Sequence, residues 1–208
     1  MPFIYDFETN TPPLLEGEED EFGAPPAEDF EYLPPPDYLG GPSTVHFSVA
    51  RAGSSATVTL TDGRAPGAAI TTDGEALAFF LDLFEAQGVV MLCLRYDGGS
   101  DEGFAWVDSA TRADGASVSR AVLIDWLRAA EIEPFLEPHA HPSFPREAAI
   151  DSLIDFTLAD PFCAALLGEG FGTGDYLLYG AVLLDWRAGR MSDDPNAEAV
   201  VKHIDIAL

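Results

Sequence analysis

The sequence predicts an α+β domain: a single domain with a mostly antiparallel sheet and two or three helices, preceded by an acidic, proline-rich tail. Three observations lead there. Apolar residues recur with period two in several short runs after residue 43, helix-spaced apolar residues interrupt those runs, and the two kinds of segment do not alternate as a parallel βαβ fold requires. Residues 1–42 are different. They hold nine Pro and eleven Asp or Glu with no Lys or Arg, and such a segment cannot bury enough apolar surface to offset the entropy of ordering. The expected organisation is an extended or disordered tail over 1–42 and one domain over 43–208.

Taken in order, Val45, Phe47 and Val49 alternate over 44–50, and Ala56, Val58 and Leu60 over 56–60. Gly53-Ser54-Ser55 between them suits a hairpin. Thr72 or Asp73 caps a helix with Leu77, Phe80, Leu81 and Phe84 on one face, which Gly88 closes. Strands are expected at 89–96 and 104–108. Ser117 or Ser119 opens a helix through Val122, Leu123, Trp126 and Leu127. Four prolines make 133–145 a surface connection. Ile150, Leu153, Ile154 and Leu158 give 146–158 helical spacing, the glycines of 168–174 make a turn, and 176–186 reads as a strand. Arg187-Ala188-Gly189-Arg190 is a turn, and Lys202, Ile204, Ile206 and Leu208 alternate in a last strand over 200–208.

The charge extends beyond the tail. The chain carries −26 in all, and residues 43–208 still hold 25 acids against ten bases. Binding nucleic acid by neutralising phosphates needs clustered Lys and Arg, so direct nucleic-acid binding is not expected, nor is attraction to an anionic membrane. A basic protein surface is the complementary partner. The competing reading is compositional background: Lys202 is the only lysine, and Arg supplies every other base. Cys93 and Cys163 sit on separate apolar segments and read as buried thiols rather than a disulfide or metal pair. Met1-Pro2-Phe3-Ile4-Tyr5-Asp6 has neither the basic start nor the apolar run of a signal peptide, and no window reaches transmembrane length, so a cytoplasmic protein is expected.

The loop Asp97-Gly98-Gly99-Ser100-Asp101-Glu102-Gly103 is the strongest candidate site. Three carboxylates and a hydroxyl lie between two apolar strands, and three glycines let the backbone turn sharply. Carboxylates at close range suit Ca²⁺ or Mg²⁺, but the EF-hand template fails, with Gly99 at its third position and Glu102 at its sixth. A solvated hairpin tip is the alternative, since Asp-Gly is a common hairpin turn. Contact with a protein is a third. The run 168–175 is glycine-rich but lacks the Lys of a phosphate-cradling loop. Pro138-His139-Ala140-His141-Pro142 offers two imidazoles that would share one side of an extended strand as a metal pair, or simply form an exposed loop. His46 and His203 lie in strand patterns and read as structural, and no nucleophile elbow is present.

The order of these features resembles an uncharacterised family of small bacterial domains found largely on mobile elements and plasmids. Its pattern is a short helix, a strand, a loop close to Asp-Gly-x-Gly-Asp-Ser-Gly, a second strand, a later helix, a Gly-rich turn and a closing strand pair. Here the counterparts are the loop 97–103, the helix at 146–158, Gly170 to Gly174, and 176–186, within residues 73–195. Ser100 and Glu102 stand where that pattern has Gly and Ser. The resemblance implies a mobile-element setting and no particular activity.

The leading expectation is a non-enzymatic, acidic interaction protein that binds a basic protein surface, in its most specific form a nucleic-acid-mimicking inhibitor carried by a mobile element. The partner-binding residues would be Glu18, Glu19, Asp20, Glu21, Glu28, Asp29 and Glu31, with Asp101 and Glu102. No cofactor, resident metal or catalytic residue is expected. One alternative is a metal-dependent hydrolase in which Asp97, Asp101, Glu102 and Asp175 activate a water. Another is an acidic housekeeping domain with no special site.

Overall fold

The computed structural model describes residues 43–99, 102–139, 145–168, 171, 178–194 and 197. Contacts divide the chain into Met1–Tyr32 and Leu33–Leu208, and every described residue belongs to the second unit. The tail acids Glu18, Glu19, Asp20, Glu21, Glu28, Asp29 and Glu31 lie outside the described residues. So do Asp101, His141, Asp175 and the expected last strand over 200–208.

The domain is α+β. Its strands are β1 (Thr44–Ala52), β2 (Ser55–Leu60), β3 (Val89–Gly99), β4 (Glu102–Arg112), β5 (Ser117–Ser119), β6 (Leu178–Asp185) and β7 (Arg190–Asp194). They form one sheet in the order β2-β1-β7-β6-β3-β4-β5, and every pairing is antiparallel. Its helices are α1 (Gly74–Gln87), α2 (Arg120–Ala129), the single turn α3 (Glu133–Leu136), α4 (Arg146–Ile154) and α5 (Asp160–Leu167). Four of these span eight residues or more, where two or three helices were expected.

Paired residues share a face of the sheet. Met191, Leu184, Leu92 and Ala110 make one buried row, and Val182, Leu94 and Val107 the next. Phe80, Leu123, Leu127, Ile150, Ile154 and Phe162 from the helices join them in one core, each at most 1% exposed. The opposite face is more open, with Leu183, Cys93 and Ser109 in one row and Arg95 and Trp106 in another, all half-buried.

Local chemistry sets the element ends. The Asp73 side chain accepts hydrogen bonds from the N–H groups of Glu75 (2.9 Å) and Ala76 (3.1 Å) at the start of α1. Gly88 ends that helix at φ 70°, a left-handed conformation that glycine adopts without Cβ strain. In β6, Gly180 lies opposite Tyr96, and a Cβ there would sit 2.6 Å from the Tyr96 Cζ. Only glycine leaves room for this ring to cross the strand, and the ring's hydroxyl donates to Asp193 Oδ1 at 2.6 Å.

Several expectations need correction. The strands run through most of the 97–103 loop: Asp97 pairs with Phe104, Gly98 with Gly103 and Gly99 with Glu102. The segment 133–145 is not wholly irregular, since it holds α3 and a 3₁₀ turn, Glu137–His139. Ser117 belongs to β5, and Ser119 stands at the start of α2 without a side-chain cap bond. After the turn at 187–190, β7 was not anticipated, yet it occupies the middle of the sheet between β1 and β6.

Both edges of the sheet are covered in part, and by different means. Beside β2, the following loop supplies backbone partners: Leu60 N–H donates to Ala68 O (2.9 Å), and Ile70 N–H to Val58 O (2.9 Å). Beside β4, β5 covers only the stretch from Ser109 to Thr111. Helical side chains cover part of the rest. An unpaired edge invites association with other chains, so this second cover carries chemistry of interest.

Candidate functional site

From Arg146 to Leu167 the chain is one helical run in which five residues, Asp155–Ala159, form a π turn between α4 and α5. A π turn inserts one residue into the helical spacing and re-aims the side chains around it. Here Asp151, Asp155 and Asp160 serve the sheet side of the run.

Val107 is central. Its N–H donates to Asp155 Oδ1 (2.9 Å), and its C=O accepts from Arg120 Nη1 (2.7 Å). Arg120 also donates to both Asp155 oxygens (2.8 and 2.9 Å) and to Asp151 Oδ1 (2.6 Å). The Arg120–Asp155 pair therefore gives Val107 the donor and acceptor that a neighbouring strand residue would supply. Two residues away, Ala105 N–H donates to Asp160 Oδ1 (3.2 Å). Outward amides recur every second residue along a strand, and the π turn lets two carboxylates of one helical run meet two of them.

The electrostatics follow from this burial. Burial works against the Arg120 charge, and its two aspartate partners more than offset it, leaving its pKa above the ordinary value. Burial raises the Asp155 carboxyl, opposed by Arg120 and by the Val107 amide. With the guanidinium permanently charged, we take the pair as ionised. Among the described residues, Asp160 has no ion-pair partner. Burial raises it to about 6, with the Ala105 N–H opposing and the nearby Asp155 charge adding to the rise. Asp193 is also raised by burial, against the Tyr96 hydroxyl bond.

The residues singled out in the sequence are placed as follows. Asp97 is exposed in β3, and Glu102 begins β4. Among the described residues, no three His, Cys, Asp or Glu side chains are grouped to hold a metal ion. His139 stacks on Phe156 (5.9 Å between ring centroids), and burial lowers its pKa. His46 contacts Asp62 through Nδ1 (2.8 Å), and its backbone N–H donates to the same carboxylate (2.7 Å). Cys93 is half-buried and Cys163 buried, both free thiols whose pKa values burial raises.

Sequence reasoning missed the cluster of Arg120, Asp151 and Asp155. The spacing of the two aspartates is i, i+4 on a helix already expected, which was the one available signal. It also missed the acidic outer surface of the helical layer. There Glu75, Glu131, Glu137 and Glu147 are exposed and make no side-chain hydrogen bond or ion pair among the described residues. The exposed arginines of that layer are taken: Arg128 pairs with Asp125 (3.0 Å), and Arg146 with Glu133 (2.6 Å).

No family model, curated protein or solved structure matches the chain. No helix among the described residues is long and apolar enough to cross a membrane.

Proposed function

We propose that this protein is a non-enzymatic, acidic interaction module that engages a basic protein surface. One observation carries the reading: the exposed arginines of the helical layer are bound to their own neighbours, while Glu75, Glu131, Glu137 and Glu147 are left to face outward. The arrangement leaves the charge of these four glutamates available to a partner. Such a field steers association and excludes acidic competitors more than it tightens the final complex. The tail acids Glu18, Glu19, Asp20 and Glu21 carry further charge of the same sign. In the finer form of the proposal the partner surface normally holds nucleic acid, and the carboxylates occupy the places of phosphates. The resemblance over residues 73–195 suits a mobile-element setting for such an inhibitor.

The test is affinity capture from the source cells with two baits, the wild type and a variant in which Glu75, Glu131, Glu137 and Glu147 become Gln. A protein with a basic surface, retained at low salt, lost at high salt and depleted on the variant, supports the proposal. A partner held equally by both baits at every salt concentration contradicts it.

A further inference from the structure

The C-terminal half of α1 does not close fully on the sheet. Between α1, the first residues of β3 and the turn after β6 lies a cavity of about 430 Å³, within the ~300–1,000 Å³ range of small-molecule sites. Leu81, Phe84, Val89 and Trp186 line its apolar side. The Trp186 ring is held edge-on by Phe47 (5.7 Å between centroids) and Phe162 (5.3 Å), so this wall is anchored in the core.

Three charged groups also line the cavity: Arg51, Glu85 and Arg187. Arg51 is neutralised by Asp82. Arg187 and Glu85 are different. Both are exposed, and neither makes an ion pair or side-chain hydrogen bond among the described residues, with the other or with anything else. Opposite charges that flank one apolar cavity without closing on each other leave room for a ligand that bears both complements. Glu85 lies in the last turn of α1, where the helix dipole adds to its pull on a cation, and that turn contains no basic residue. The Arg187 guanidinium presents a planar fork that matches a carboxylate.

We propose that this cavity binds a small zwitterion with an apolar body, of the class of a free aromatic or branched-chain α-amino acid. The carboxylate meets Arg187, the ammonium meets Glu85, and the side chain lies against Leu81, Phe84 and Trp186. A simple carboxylate or amine would answer one charge and leave the other unmet. The site is separate from the outward glutamates of the helical layer, and its test does not depend on them.

The experiment is calorimetric titration of the full chain with L-phenylalanine and L-leucine. Phenylacetate and phenethylamine serve as single-charge comparisons, and glycine as the zwitterion without an apolar body. At least one of the two amino acids should saturate the protein, with each single-charge compound about fivefold weaker or more, the scale of one exposed ion pair, and glycine not saturating. Arg187→Gln and Glu85→Gln should each weaken the amino acid by a similar factor without changing thermal stability. Tryptophan fluorescence should respond to the ligand, and Trp186→Phe should lose that response. The proposal is overturned if neither amino acid saturates by roughly 10 mM, beyond the millimolar range of weak specific binding. It is equally overturned if phenylacetate binds as well as phenylalanine, if both charge variants bind like wild type, or if the fluorescence response survives in Trp186→Phe.

Discussion

Two sets of carboxylates divide this domain. Beside the sheet, Asp151 and Asp155 are bound to Arg120, and Asp155 and Asp160 accept amides of β4. On the outer surface, Glu75, Glu131, Glu137 and Glu147 make no such bonds among the described residues. The chemical group is the same, but its environment assigns a different task. The inner acids complete a strand edge, and their charge is spent on amides and a guanidinium. The outer acids make none of these contacts, and in the proposed function theirs is the charge that a partner would meet. Net charge alone would count both sets equally.

The largest effect should come from breaking the inner set. Arg120→Ala removes the acceptor-side partner of Val107 and leaves Asp155 without its cation. Losing one member of a fully buried pair costs about 3–5 kcal/mol. The side chains here keep 25% and 20% exposure, so a loss of about 2–3 kcal/mol is expected in denaturant unfolding. A loss below about 0.5 kcal/mol, the size of an ordinary surface substitution, would show that Arg120 does not hold the edge.

Asp160 should behave in the opposite direction. Its folded pKa of about 6 exceeds the unfolded carboxylate value of about 3.9. Between those pH values the folded state holds the proton and the unfolded state does not. Its contribution to stability is therefore greatest below about pH 4 and is lost as pH rises through about 6. Asp160→Asn keeps an oxygen for the Ala105 amide and removes the buried charge. It should stabilise the domain by about 1 kcal/mol at pH 7, a figure reduced for solvent access to this half-buried group, and by almost nothing at pH 4. Melting both proteins across that range checks the sign. Destabilisation of the variant at pH 7 would mean that Asp160 is held as a needed carboxylate.

The outer set should show the smallest change. Replacing Glu75, Glu131, Glu137 and Glu147 together by Gln should leave unfolding free energy within about 0.5 kcal/mol of wild type at ordinary salt. At low salt a slight gain is expected, because self-repulsion falls. A cooperative loss of more than about 2 kcal/mol would place these residues with the inner set.

Much of the fold was legible in local sequence. The β1–β2 hairpin, α1 with Asp73 and Gly88 at its ends, and the β3–β4 pair all carry strong periodicity and turn residues. What was illegible depended on distant partners. β7 reads Arg190-Met191-Ser192-Asp193-Asp194 and offers only Met191 to the core. It is a strand because β1 and β6 supply backbone hydrogen bonds on both sides, which no local pattern records. β5 has three residues, too few for alternation to show. At 97–103 the glycines suggested a loop, yet backbone pairing carries the strands to Gly99 and from Glu102. The inner carboxylates were hidden for the same reason: a pairing such as Arg120 with Asp155 across 35 residues exists only once the helical run lies along β4.

The division between spent and available charge can be read most directly in association kinetics. With the basic partner captured from the source cells, the association rate is measured for wild type, Asp160→Asn and the outer four-site Gln variant at about 0.05 M salt, and again at about 0.5 M. Exposed charges act over roughly 8 Å at physiological ionic strength and farther at low salt. The outer variant should associate several-fold more slowly at low salt, Asp160→Asn should match wild type, and all three should converge at high salt. Equal rates for wild type and the outer variant at low salt, or equal slowing by both variants, would contradict that division.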